Sequence, residues 1–240
     1  MKPVLAILAL ATAAAADDAE AARAIGSAMR DYYQLLGWEA TSNTIESVRD
    51  RILPNFGKCG PDTQKSVLNQ MNRGFETKYG KGTAFHAVLC EILAGCGERG
   101  INVLRNRVKA SGKRPELRKV AAEALGKCGD EDALDLLLQM AFDPEPDVAA
   151  AAVTGCGSYA KVKQEKRKAA MRKLVDLFLK VTNDTSGKDA ESKEMKRYNA
   201  VAPAMNATLK AMSGGEELDS AKAWNAWLAE NLAKPWPEPK

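Results

Sequence analysis

The tetrapeptide GKCG occurs at 57–60 and again at 126–129, and Cys-Gly returns at 96–97 and 156–157. A pair that recurs at intervals of roughly thirty residues limits the chain to folds built from repeated supersecondary units. Inside the units the periodicity is helical. From Leu117, apolar or small residues fall at Val120, Ala121, Ala124, Leu125 and Cys128. Steps of three and four put them on one stripe of a helix. Gly129 is placed to stop that helix in a left-handed cap. Asp130, Glu131 and Asp132 then open a second helix, with acidic residues where the helix dipole favours them. Its stripe is Ala133, Leu134, Leu137, Leu138 and Met140, and DPEPD at 143–147 ends it and prepares the next start.

The same helix–Gly–helix unit begins at Phe85. Phe85, Leu89, Leu93, Cys96 and Gly97 match Leu117, Ala121, Leu125, Cys128 and Gly129 at an offset of 32 residues. A further unit begins at Val148, where VAAAAVTGCG aligns one helical turn out of step, so that Cys156 takes the place of Leu125. Weaker units cover about 47–75 and 201–227. One helix pair cannot bury its own apolar face, whereas a row of pairs can.

On LRKVAAEALGKCGDEDALDLLL, the DPEPDV before the next unit, and VAAAAVTGCG, the sequence resembles the HEAT-repeat family, most strongly over 85–159. The resemblance implies an all-α fold, an α-solenoid of about four to five antiparallel helix pairs, used as a protein-binding scaffold. The stretch 161–197 departs from the pattern. It holds a long second helix, about 165–181, and then the polar run NDTSGKDAESK. The expected organisation is a signal peptide at 1–16, an N-terminal helical cap at 17–46 and repeats over 47–182. A polar linker at 183–196, a last repeat with capping helix at 197–234 and a Pro-rich tail at 235–240 complete it.

Each Cys of the Cys-Gly pairs lies near the end of a first helix, on its apolar stripe, where cysteine serves as a small hydrophobe. Equivalent positions in neighbouring helices stand about 8–10 Å apart, beyond the roughly 7 Å Cα separation that a disulfide spans. The chain has no CxxC pair and a single histidine, His86, so a zinc site is not expected. No metal or cofactor is expected elsewhere. His86 and Cys90 share a helix face and would resemble a base and its nucleophile. No Asp or Asn is in evidence to orient the histidine, and His86 aligns with Arg118 at a first-turn position expected to be exposed. No catalytic residue is therefore assigned. Related repeats occur in DNA alkylpurine glycosylases and in some phycobilin lyases. Here Trp38, Trp224, Trp227 and Trp236 all lie outside the regular units, so the glycosylase pattern fails, and the repeat itself carries no chemistry.

The start, MKPVLAILALATAAAADD, combines Lys2, an apolar run over 4–11 and a small-residue site at 14–16. That pattern predicts a secretory signal peptide cleaved before Asp17, and hence export to the periplasm, cell envelope or medium. The apolar run is shorter than the roughly 20 residues of a membrane-spanning helix, so no transmembrane segment is expected once the signal is removed. The formal net charge is only +4, which implies no global electrostatic partner. Basic residues cluster at 105–119 and 161–173. In HEAT-like solenoids the second helices line the binding face, and there the exposed positions would be Arg105, Lys109, Lys173 and Lys180. The expected partner is a protein or peptide with acidic character. Nucleic acid is the alternative if the chain is not exported, and an enzyme of the lyase type is the second alternative. Trp224 and Trp227 share a face of a helix that would cap the last unit, with Pro235, Pro237 and Pro239 forbidding further helix. The sequence carries no signal for oligomeric state.

Overall fold

In the computed structural model, which describes residues 19–37, 44–79 and 81–236, eleven α-helices follow one another and no strand occurs among the described residues. They fall into two units that divide after Ala110. The first holds α1 (Ala19–Gly37), α2 (Ile45–Phe56), α3 (Pro61–Arg73), α4 (Thr83–Gly95) and α5 (Gly97–Ala110). The second holds α6 (Pro115–Lys127), α7 (Glu131–Met140), α8 (Pro146–Gly157), α9 (Gln164–Asp184), α10 (Lys193–Ser213) and α11 (Ala221–Asn231). The segments assigned to a signal peptide and to the end of the Pro-rich tail lie outside the described residues, as does Trp38.

Side chains mark where the helices begin. Thr44, Asp130, Ser192 and Ser220 each accept an otherwise unpaired first-turn amide, from Ser47, Asp132, Met195 and Ala223. Pro61, Pro115 and Pro146 open α3, α6 and α8, where a missing N–H costs nothing. The Cys-Gly glycines divide into two kinds. Gly97 and Gly129 take φ of 67° and 73° and make the turn between first and second helices. Gly60 instead caps the start of α3 at φ −66°, and Gly157 is the last residue of α8.

Each unit is built as an α-solenoid is, in two rows. In the first unit α1, α2 and α4 pack side by side, with α3 against α5; in the second, α6, α8 and α10 form one row and α7, α9 and α11 the other. The apolar stripes face the space between rows. Leu89, Leu93, Ala121, Leu125, Leu137 and Ala152 are all buried, and so are four of the five cysteines. Helices α6 and α8 meet backbone to backbone. A Cβ on Gly126 would lie 2.8 Å from Gly155 Cα, so glycine at both positions sets their separation. The recess this leaves on the outer side of α8 is a shallow groove of about 470 Å³ floored by Ala150, Ala151 and Thr154.

Two expectations need correction. His86 and Arg118, expected on the surface, are both buried, at 4% and 5% exposure. The first turn of each of these helices is roofed by a neighbouring segment. His86 stacks on Phe75, with ring centroids 5.5 Å apart, and meets Phe85 edge-on. The Arg118 guanidinium makes a forked pair with Asp143, at 2.7 and 2.9 Å, and donates to the carbonyls of Ser111 and Gly112. The polar linker is also shorter than its composition suggests. Helix α9 runs on to Asp184, and Ser192 caps α10 immediately afterwards, leaving only 185–192 between them.

Candidate protein-binding surface

The second helices of each unit present the polar positions that the sequence singled out. In the first unit, Lys109 is exposed at the end of α5. Arg105 is half-buried, and its guanidinium is held by Asn102 one turn earlier. In the second unit, Lys173 and Lys180 are exposed along α9, with Arg172 beside them and Asp176 between. Helix α7, in the same row, exposes Asp135 and Gln139. Its far end carries Phe142, half exposed and the one large apolar side chain so placed among the described residues. The outer face of this row is therefore mixed: acidic on α7, and on α9 basic positions interspersed with the exposed Glu165, Asp176 and Asp184.

Much of the remaining basic charge is already used inside the fold. Arg107 binds the side chain and carbonyl of Asn72 and lies over the Phe75 ring. Lys166 donates to the Glu131 carbonyl at the start of α7. Arg197 donates to the Asp143 carbonyl and ties α10 to the turn that Arg118 also holds.

Three residues of the 161–173 cluster converge on the segment after α11. Gln164, Arg167 and Lys168 lie on one face of α9, a spacing of three and four residues. The Lys168 ammonium donates to the carbonyls of Leu232 and Lys234, both at 2.7 Å. Gln164 accepts the Trp236 main-chain N–H at 2.8 Å. The cationic groups of Arg167 and Lys168 stand 5.5 and 5.3 Å from the Trp236 ring, and the Trp227 ring flanks it at 5.3 Å. The indole N–H donates to the Asn231 carbonyl at 2.8 Å. Trp236 is consequently buried while Ala233, Lys234 and Pro235 are exposed. Trp224 is fully buried, and its indole N–H donates to Asn206 on α10. Sequence reasoning placed Trp224 and Trp227 on one face of a helix but did not join Trp236 to the basic cluster. The available signal was a tryptophan between prolines, in a chain whose basic runs have few acidic partners nearby in sequence.

Three of the buried thiols are held in the neutral form. Burial pushes Cys96 and Cys156 up to about 12 and Cys90 higher. Cys128, the half-buried one, donates to the Leu125 carbonyl at 3.3 Å and lies 3.4 Å from the Tyr159 hydroxyl, which also bonds that carbonyl. His86, four residues before Cys90, is stacked among aromatic rings. No group of three or more His, Cys, Asp or Glu side chains among the described residues is arranged to hold a metal ion.

An all-α chain whose helices stand in two rows, with a short turn after each first helix, defines the class of helical-repeat proteins. Residues 87–185 match the family model for HEAT repeats. No curated protein and no solved structure matches the chain.

Proposed function

We propose that this chain is a non-catalytic HEAT-repeat scaffold that binds a protein or peptide partner outside the cytoplasm. The observation that carries the reading is the outer face of the α7–α9–α11 row. Lys173 and Lys180 are exposed there although the fold gives them no packing task, whereas Lys166, Arg167 and Lys168 on the same helix are committed to internal contacts. Asp135 and Asp176 interrupt the positive charge, which favours a partner of moderate acidity over a uniform polyanion. In the first unit, taken by itself, Arg105 and Lys109 are a separate basic position. Exposed ion pairs are worth about 0.2–1 kcal/mol each. Pairs at Lys173 and Lys180 tune affinity, and apolar contacts such as Phe142 supply the rest.

The test is a cross-linked pull-down from native envelope extract at low and high salt. A protein partner retained at high salt is the expected result, and salt-sensitive recovery of nucleic acid would replace the reading. With the partner in hand, Lys173→Glu with Lys180→Glu should weaken its binding and flatten the salt dependence; unchanged affinity at low salt would remove this face of the second unit from consideration. The export reading predicts a mature N-terminus near Asp17, and an intact mass that retains Met1 on native protein would refute it.

A further inference from the structure

The contacts around Trp236 have the composition of a peptide-recognition site. One side chain reads a main-chain amide (Gln164), a carbonyl takes the indole N–H (Asn231), and two cations and a second indole enclose the ring. Indoles are the strongest aromatic partners of cations. We propose that the slot formed by Gln164, Arg167, Lys168 and Trp227 is a binding site for a tryptophan-bearing peptide segment, and that Trp236 is its exchangeable occupant within the chain. This goes beyond the scaffold reading, which places its partner on Lys173 and Lys180 and counts Arg167 and Lys168 only as engaged within the fold.

The manner of attachment makes exchange feasible. Between the end of α11 and Trp236 the residues 233–235 are exposed, and Pro235 brings no N–H to the site. Past the turn held by Lys168, the occupant is held by one ring and the two hydrogen bonds that Trp236 donates. Segments with so few buried contacts open separately from the helices that carry them. Opening would leave the slot lined by Arg167 and Lys168, so the preferred incoming ligand places an acidic residue close to its tryptophan. Competition from the tethered Trp236 lowers the apparent affinity in proportion to the fraction of open molecules. A partner thus gains access only when the segment lets go.

The experiment uses full-length protein and, as probe, the acetylated pentapeptide Lys-Pro-Trp-Pro-Glu, titrated calorimetrically. Trp236→Ala, confirmed folded by circular dichroism, should bind the pentapeptide at one site and at least tenfold more tightly than wild type. A probe with alanine in place of tryptophan should not bind, and adding Gln164→Leu to the variant should weaken the interaction. Absence of binding to the folded variant overturns the proposal. So does equal binding to wild type, since the ligand would then lie elsewhere. If Trp236→Ala fails to fold, hydrogen exchange on wild type decides. The Trp236 amide should exchange well before those of Trp224 and Leu228. Exchange only together with α11 would mean the slot never empties, and the proposal would fall.

Discussion

Arg118 shows how one side chain can hold a repeat together. Its side chain is 6% exposed and that of its partner, Asp143, 9%. The hydrogen bonds to Asp143 hold the guanidinium firmly charged, and the carbonyls of Ser111 and Gly112 take its remaining donors. Removing one member of such a pair leaves the other charged and buried, which typically costs about 3–5 kcal/mol. Arg118→Ala should therefore lower the unfolding free energy measured in urea by an amount of that order, and Arg118→Met with Asp143→Leu should lower it less than the single change. An equal or greater loss in the double variant would show that packing, not charge, dominates at this site. The aligned position in the preceding unit is His86, which fills the same first-turn space by stacking on Phe75 instead. Sequence alignment paired the two residues correctly and still misjudged their burial. Periodicity reports a residue's angle around its own helix, not the segment that folds over the helix end.

At the scale of elements, the stripes were readable because every helix here buries one face against neighbours in its own unit. Leu125, in the last turn of α6, is fully buried. Leu125→Ala should cost about 2–5 kcal/mol through the cavity it leaves; a loss below about 0.5 kcal/mol, the range of ordinary surface changes, would mean that the register is wrong. What did not follow from pattern was set by single polar atoms. The polar run after α9 reads as an extended linker by composition, yet the Ser192 hydroxyl bonds the Met195 amide and starts α10 early. The link between the basic cluster and Trp236 was likewise invisible, since Gln164 and Trp236 are separated by 72 positions. Those contacts depend on where α9 and α11 lie in their row, which the repeat pattern only implies.

For the molecule as a whole, the buried thiols make stability depend on alkaline pH. Cys96 and Cys156 ionise in the folded chain only near about 12, against an ordinary 9.0, because burial opposes the thiolate. Between those values the unfolded chain releases protons that the folded chain keeps. The unfolded state then binds fewer protons, and stability falls as pH rises. Below about pH 9 these groups contribute no slope. The denaturation midpoint should drop between about pH 9 and about pH 10.5, and Cys96→Ala with Cys156→Ala should reduce that drop. An identical slope in the double variant would assign the effect to other groups, with Cys90 first and then Tyr32 and Tyr159, all also pushed up by burial.

The meeting of Gly126 and Gly155 has a mechanical consequence. Most neighbouring helices in a repeat array are separated by side chains that hop between rotamers, and these act as a compressible cushion. Where α6 crosses α8, main chain touches main chain, and there is nothing to compress. Under a bending load this joint of the second unit should behave as a fixed pivot. Any change of curvature in the α6–α8–α10 row must then be taken up on either side of it, which makes the spacing of those two repeats a constant of the molecule.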